Sequence, residues 1–290
     1  MAETCMRGVD TGFVALGYGK VAVLGVVQGI TELLPISSTA HMRIVPALLG
    51  WQDPGSAFSA AMQLAALAAV ISYFWSDVRG LVFGGIGALF RRDFKNRDFT
   101  LALWITLATV PIVIGGLALS SWLNACNTSL RSLTVIGASS LVMAALLALA
   151  ELVARRNRTL ENATLLDAMI VGVAQVGALI PGVSRSGSTL TAALFLGLTR
   201  AEAARFSFLL GLPAIALAGL KELWELYRIN LDAYGWSVLG LGLLVGSISA
   251  FAAIWALMSV LERYSSWPFV FYRACVGAFL LTAVWLGILA

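Results

Sequence analysis

Long apolar stretches alternate with short polar connections along this chain. A helix needs about 20 apolar residues to cross the hydrocarbon core of a bilayer, and six stretches meet that length. They lie at about 57–75, 101–122, 131–153, 203–223, 236–261 and 267–289. Their length and their richness in Leu and Ala are typical of helices rather than of the short alternating strands of a membrane barrel. The pattern therefore predicts six transmembrane helices.

Two further apolar segments, at about 19–50 and 165–198, are interrupted in the middle. Each is long enough to enter the membrane, but Pro35 breaks the first segment and Pro181-Gly182 breaks the second. A segment that turns back at such a break forms a re-entrant helical hairpin and leaves the count of six spans unchanged. We therefore expect two hairpins, whose tips meet near the middle of the membrane.

The two halves of the chain share one layout. Each half has a hairpin followed by three spans, and a Phe-Ser pair follows each hairpin, Phe58-Ser59 in the first half and Phe206-Ser207 in the second. A unit with an odd number of crossings must be inverted in its second copy, as in many transporters. The predicted fold is an all-α integral membrane protein with a single membrane domain over residues 1–290, built from inverted-topology repeats at about 19–153 and 165–289.

Composition and charge place this fold in the membrane and orient it. Apolar residues make up 60% of the chain and the mean hydropathy is +0.90, whereas soluble domains are about half apolar. Basic residues concentrate in the connections at 79–97 and 155–158, which we expect on the cytoplasmic side. The uncharged connection at 124–129 then lies outside, as do both termini.

Charge and cysteine usage also exclude some partners. The net charge of +4 comes without a dense run of Lys and Arg interleaved with aromatic residues, so nucleic acid is not an expected partner. Three scattered cysteines, Cys5, Cys126 and Cys275, have no metal-ligand spacing. We interpret them as small packing residues.

The first polar cluster, residues 28–41, collects groups that can carry chemistry. They are Gln28, Glu32, Ser37, Ser38, Thr39 and His41. Gln28 and Glu32 are four apart and share one face of a helix, which Pro35 ends, so that the hydroxyls after it can cap the next helix. A carboxylate, hydroxyls and an imidazole around one bend provide a nucleophile, a proton acceptor and a group to orient it or hold a cation.

The second polar cluster, residues 175–189, has the composition of an anion site. Its donors and permissive glycine are Ser184, Arg185, Ser186, Gly187, Ser188 and Thr189. Backbone amides at the start of a helix, hydroxyls and an always-charged guanidinium together favour phosphate. In the first span, Gln63 either bonds across helices or lines the cavity.

Each feature has a structural alternative. The serines can be helix caps only, Arg185 and Glu32 can form a structural ion pair, and His41 can be a packing residue. We also expect a structural role for Arg273 in the last span. The functional interpretation is favoured because the topology brings together, in two short segments, the residue types that phosphoryl chemistry requires.

The chain resembles a known family in these same segments. The matching stretches are VVQGITELLPISSTAHM at 26–42 and PGVSRSGST at 181–189, with FSFLLGLP at 206–213 and FYR at 271–273 in support. They are similar to the undecaprenyl pyrophosphate phosphatases, the BacA-type bacitracin-resistance proteins. The resemblance implies a multi-pass enzyme of the bacterial cytoplasmic (inner) membrane that hydrolyses the terminal phosphate of undecaprenyl diphosphate. The product, undecaprenyl phosphate, carries precursors of peptidoglycan and other envelope polymers.

The resemblance also implies roles for individual residues and a cofactor. Glu32, Ser38, His41 and Arg185 would be catalytic; Ser37, Thr39, Gln63, Ser184, Ser186, Gly187, Ser188 and Thr189 would bind substrate, in a site open to the periplasmic or outer side. A divalent cation, Mg2+ or Ca2+, would be held by Glu32 and Gln28. Many members carry glutamate where this chain has Gln28, so the cation site here has one negative charge fewer.

Two mechanisms and two functions stay open at this point. Ser38 attacks the terminal phosphorus with help from His41 while Arg185 stabilises the phosphate oxygens, or His41 or Glu32 activates water and Ser38 only binds phosphate. The rival function is a transporter or flippase of polyprenyl phosphates with a midplane phosphate site. The expected partners are undecaprenyl diphosphate and membrane lipid, and whether the chain forms a homodimer stays open.

Overall fold

The computed structural model describes residues 5–6, 9–119 and 129–289. A short antiparallel pair, β1 (Cys5–Met6) and β2 (Val9–Asp10), precedes the helices. The first helices are α1 (Phe13–Leu33), α2 (Ser38–Leu48), α3 (Ser56–Ala61), α4 (Gln63–Tyr73), α5 (Trp75–Arg79), α6 (Gly85–Arg91) and α7 (Arg97–Ala118). The later ones are α8 (Leu133–Val153), α9 (Leu165–Gln175), α10 (Arg185–Phe195), α11 (Arg200–Arg228), α12 (Ala233–Arg263) and α13 (Trp267–Trp285). The connection expected outside, residues 124–129, falls outside the described residues up to 128.

Within the described residues, 7 helices are long and apolar enough to cross a membrane. Six of them, with α3 and α4 counted as one, coincide with the six predicted spans to within a few residues. The seventh is α1, which belongs to the first interrupted segment. The chain is thus a helical protein with multiple membrane-crossing helices, as predicted.

Both predicted breaks are present in the helices. The first lies between Leu33, where α1 ends, and Ser38, where α2 begins. The second follows α9 and a 3-10 turn at Val176–Leu179, and α10 begins at Arg185. Gly182, between this 3-10 turn and α10, has a φ of +95°, and a Cβ there would lie 2.0 Å from the Ser139 hydroxyl. Only glycine meets both demands.

Small residues bring the interrupted segments against helices of the opposite half. A Cβ on Gly29 of α1 would lie 2.4 Å from the Gly246 carbonyl oxygen of α12, and one on Gly172 of α9 would lie 2.2 Å from that of Ala108 on α7. Such close backbone approach is how helices associate in lipid, where the hydrophobic effect gives no drive. The two breaks are thereby held in the interior, between the halves.

Candidate active site

Arg273 joins the two helix breaks. Its side chain on α13 is 1% exposed. The guanidinium donates through Nη1 to the Pro35 carbonyl oxygen at 2.8 Å, and through Nη2 to the carbonyl oxygens of Gly182 at 2.7 Å and Val183 at 3.1 Å. These carbonyls lie in irregular backbone and have no helical partner, so one buried cation satisfies both turns. Arg273 therefore has the structural role expected from the sequence.

Ser37 and Ser184 occupy equivalent places in the two turns. Both have a φ of 73°, in the region that disfavours residues with a side chain. Each caps the helix that follows it, because its hydroxyl accepts from the amide of Ala40 at 3.4 Å or Gly187 at 3.1 Å. Strained backbone of this kind persists where the surroundings enforce it, and the Arg273 clamp does so here.

The two turns enclose one cavity of about 150 Å³. Its polar lining residues are Glu32, Ser37, Ser38, Thr39, Gln63, Ser184 and Arg185. Its apolar lining residues are Ile112, Ala178, Leu179, Ala214, Ile215 and Ala218. The structure therefore brings seven of the predicted site residues, six from the two polar clusters and Gln63 from α4, to one cavity that also has apolar lining residues.

Glu32 hydrogen-bonds polar side chains of both turns. Its Oε1 accepts from Arg185 Nη2 at 2.9 Å, and its Oε2 accepts from Gln28 Nε2 at 3.0 Å and from the Ser38 hydroxyl. Gln28 stands one helical turn before Glu32, as the spacing predicted. The buried carboxylate thus links the hydroxyl from one turn to the guanidinium from the other.

Gly211 makes room for the guanidinium of Arg185. A Cβ at this position of α11 would lie 1.6 Å from Arg185 Nη1. Sequence reasoning did not identify Gly211 as part of the site, although it falls within the FSFLLGLP stretch that supported the family resemblance. The glycine acts on Arg185 from 26 positions further along the chain, a contact that no local pattern encodes.

His41 lies beside the cavity rather than in its wall. Its Nδ1 hydrogen-bonds the Ser37 carbonyl oxygen at 2.7 Å, and its Nε2 hydrogen-bonds the Tyr272 hydroxyl at 2.6 Å. Ser38 donates to Glu32 instead. His41 and Ser38 therefore bond to different partners, and no direct hydrogen bond between them supports the predicted assistance of Ser38 by His41. Tyr272 was missed as a site residue, although it neighbours Arg273 in the FYR stretch.

The other predicted substrate-binding residues lie behind the cavity wall. Ser186 donates to the carbonyl oxygens of Glu32 at 3.2 Å and Leu34 at 3.0 Å, which ties the second turn to the first. Ser188 and Thr189 donate to the Arg185 carbonyl oxygen at 3.0 and 2.7 Å. Together with Gly187, they do not border the cavity formed by the described residues.

The oxygen ligands around Glu32 suit a divalent cation that a phosphate ligand also coordinates. Within the described ranges, no group of three or more His, Cys, Asp or Glu could hold a metal ion. Glu32 is the one carboxylate among the residues that line the cavity, and the neighbouring Gln28 Oε1 is buried with no hydrogen-bond partner in that part of the chain. Mg2+ is commonly held by one or two carboxylates plus substrate phosphates, so the residues fit a shared cation and not an all-protein cage.

These features define the class of the protein: a multi-span helical membrane protein with a buried polar site between the breaks of two interrupted helical segments. The family model described as "Bacitracin resistance protein BacA" matches residues 21–279. The chain belongs to this family, which confirms the resemblance found in its motifs.

Several relatives match almost the whole chain. The chain is 75% identical over 263 residues to "Undecaprenyl-diphosphatase 2" of Mesorhizobium japonicum, with 91% of this chain and 100% of the relative covered. It is 49% identical over 274 residues to "Undecaprenyl-diphosphatase" of Gloeobacter violaceus, with 94% of each covered. It is 46% identical over 287 residues to the protein of the same name from Synechocystis, with 99% and 88% covered.

Proposed function

We propose that this protein is an undecaprenyl-diphosphatase, a membrane hydrolase that converts undecaprenyl diphosphate to undecaprenyl phosphate and orthophosphate. The observation that carries this assignment is the Ser38–Glu32–Arg185 chain of hydrogen bonds in a cavity lined by both polar and apolar residues. It joins a nucleophile, the Ser38 hydroxyl, to a proton acceptor, the Glu32 carboxylate, and to a phosphate-binding group, the Arg185 guanidinium. The names of the similar proteins agree with this chemistry.

In the reaction we propose, the Ser38 hydroxyl oxygen attacks the terminal phosphorus. Glu32 Oε2 takes the hydroxyl proton, a bond forms between Ser38 and phosphorus, and the bond to the bridging oxygen breaks. Undecaprenyl phosphate leaves with the bridging oxygen. Water then attacks the phosphoserine: its oxygen bonds to phosphorus, the bond from phosphorus to the Ser38 oxygen breaks, and Ser38 takes back the proton held by Glu32. This yields orthophosphate and restores both side chains. Arg185 pairs with the equatorial phosphate oxygens throughout, since phosphoryl transfer depends mainly on positioning and charge neutralisation.

His41 is a positioning residue in this proposal. Its ring fixes the Ser37 carbonyl on one side and Tyr272 on the other. Ser37 is the cap that starts α2, and Ser38 is the first residue of that helix. The imidazole thereby sets the direction from which the Ser38 hydroxyl faces Glu32. The route in which His41 or Glu32 activates water directly is the alternative.

A divalent cation, Mg2+ or Ca2+, completes the proposed site. Glu32 and Gln28 Oε1 would hold it together with oxygens of the diphosphate. It would supply positive charge that neutralises the two phosphate groups as they approach the carboxylate. With a single carboxylate available, this chain itself contributes one negative charge to the site.

We further propose that residues 19–50 and 165–198 are re-entrant hairpins in two inverted repeats. Gly17 has a φ of 72° and a ψ of 177°, so the regular part of α1 begins after it and is about 24 Å long at 1.5 Å per residue, short of the roughly 30 Å hydrocarbon core. The matching φ angles of Ser37 and Ser184 support the repeat. So does the packing of α1 on α12, which parallels that of α9 on α7.

In this proposal the cavity lies near the midplane of the bacterial cytoplasmic membrane and opens to the periplasmic or outer side, and both termini lie outside. Cysteine labelling in intact cells tests the orientation, in a background without the native cysteines. Gln52→Cys, beyond the end of α2, should react with an impermeant maleimide, and Arg92→Cys, in the basic connection, should react only after lysis. The reverse pattern would overturn this orientation.

The direct test of function is phosphate release by the purified protein in detergent. Undecaprenyl or farnesyl diphosphate is supplied with Mg2+ or Ca2+. Wild type should release orthophosphate, Ser38→Ala should lose turnover while it still binds substrate, and Ser72→Ala on the lipid-facing part of α4 should behave as wild type. No release by wild type with any divalent cation would refute the enzyme and leave a polyprenyl-phosphate transporter as the hypothesis. Full activity of Ser38→Ala would assign the attack to water.

A further inference from the structure

A second cavity adjoins the proposed active site. It has a volume of about 220 Å³ and shares Thr39, Gln63, Ala178 and Leu179 with the first cavity. The two cavities are therefore adjacent compartments, separated only by residues that border both of them. Beyond them, the second compartment is lined by two serines, Ser56 and Ser59, by two arginines, Arg43 and Arg131, and by the apolar residues Ala60, Leu130, Ile136 and Pro181.

The two arginines share a single carboxylate in this compartment. Arg43 on α2 donates to Asp53 Oδ2 at 2.5 Å, and Arg131, two residues before α8, donates to both Asp53 oxygens at 3.2 Å. In the described part of the chain, Arg43 Nε is buried and has no hydrogen-bond partner. One carboxylate therefore occupies only a part of the donors that two guanidinium groups present.

A second carboxylate, that of Asp10, lies near the arginines. Asp10 interacts electrostatically with Asp53 and with both arginines, and its half-buried position raises the pKa of its carboxyl. Its Oδ1 already accepts from the Gly12 amide at 3.1 Å. The side chains of Arg43, Arg131 and Asp53 are 35%, 21% and 23% exposed, so the cluster is in contact with solvent and can exchange partners.

We propose that Arg43 and Arg131 form a second phosphate subsite, which receives orthophosphate on its way from Ser38 to the outer solution. The proposal rests on the hydrolysis described above. That reaction makes two phosphates: one stays joined to the isoprenoid chain, and the other, orthophosphate, is free to leave into water. Ile112, Ala214, Ile215 and Ala218 line the first cavity and can contact the isoprenoid chain, whereas Arg43 and Arg131 in the second compartment offer charge-assisted hydrogen bonds to a phosphate.

Asp53 has a defined part in this subsite. It holds both guanidinium groups towards the compartment, and a phosphate displaces it from one of them. Asp53 therefore orients the arginines and competes with the ligand. Removing its charge should strengthen phosphate binding, whereas removing either guanidinium should weaken it.

The test measures equilibrium binding in a Ser38→Ala background, so that it does not depend on turnover. The probes are orthophosphate and farnesyl diphosphate. Their binding is measured by the shift of the thermal unfolding temperature in detergent and by 31P NMR. We expect Arg43→Gln and Arg131→Gln each to weaken orthophosphate binding about tenfold, the loss of one charged hydrogen bond, and Asp53→Asn to strengthen it. Arg97→Gln, which removes an exposed pair with Glu161, is the matched control and should have no effect.

The design separates this subsite from its alternatives. Unchanged orthophosphate binding in both arginine variants would overturn the subsite. Equal weakening in Arg97→Gln would also overturn it, because the effect would then come from net charge alone. A greater loss of farnesyl diphosphate than of orthophosphate would show that the arginines hold the substrate's own phosphate, which would overturn the exit route. If an arginine variant fails to fold, the gain expected for Asp53→Asn still tests the proposal, because weaker or equal binding there contradicts it.

Discussion

Gly211→Ala should remove Arg185 from the active site while leaving the fold in place. The added Cβ would lie 1.6 Å from Arg185 Nη1 and 2.8 Å from Cζ, whereas an ordinary contact is 3.4–4 Å. The guanidinium must therefore move by roughly 2 Å. Its hydrogen bond to Glu32, 2.9 Å long, cannot survive a movement of that size.

The expected loss of activity follows from this displacement. A catalytic group misplaced by about 1 Å costs about 10²-fold in rate, and removal of one donor that stabilises transition-state charge costs about 10²–10³-fold. We expect kcat/KM of Gly211→Ala to fall by about 10²–10³. The stability of α11 should not decrease, since alanine is more favourable than glycine in a helix interior by about 1 kcal/mol.

Phosphate release from farnesyl diphosphate measures this effect, with thermal unfolding in detergent as the check on folding. Gly240→Ala is the matched control, because a Cβ there has nothing within 4 Å. A double-mutant cycle with Arg185→Ala gives the decisive result: the double variant should be no worse than Arg185→Ala alone. Additive losses, or near-normal kcat/KM in Gly211→Ala, would refute the reasoning.

Three further changes test other parts of the site. Gln28→Glu places a second carboxylate beside Glu32, so activity should saturate at a lower Mg2+ concentration; an unchanged cation titration would place this side chain away from the metal. Tyr272→Phe removes the hydroxyl that holds His41 Nε2 and should lower kcat up to about tenfold with little change in KM, whereas unchanged kcat would deny His41 a positioning role. Arg273→Met leaves the carbonyls of both turns unpaired in the interior and should lower the thermal unfolding temperature as well as activity; a variant of normal stability would contradict the clamp.

The membrane helices and their two breaks could be predicted because both depend on local sequence. An apolar run of spanning length and a proline within it act over a few residues, and their consequences survive any tertiary packing. The start of α1 at Phe13 was not predicted, because Tyr18, Lys20 and the glycines around them dilute the apolar pattern there. Their place in the structure is set by contacts with α12 and the loop before α3, which the local sequence does not encode.

The meeting of the two polar clusters was predicted, but the pairing of individual groups inside them was only partly predicted. The spacing of Gln28 and Glu32 fixes their contact within one helix. Ser38 and His41 are also on one helix, yet they turn to different partners, Ser38 to Glu32 and His41 to Tyr272. Tyr272 is 231 positions away from His41, and no periodicity links residues at that distance. Side-chain direction at a helix start depends on the three-dimensional neighbours.

The contact between Glu32 and Arg185 unites two interpretations that the sequence left as alternatives. As a structural ion pair it compensates two charges that are both largely buried, and removal of either partner would leave the other uncompensated. In the proposed reaction the phosphate takes the place of Glu32 as the partner of Arg185. Glu32 then keeps Gln28 and Ser38, and its contact with the serine hydroxyl is the one through which the proton leaves. The same pair that stabilises the site therefore couples phosphate binding to the activation of Ser38.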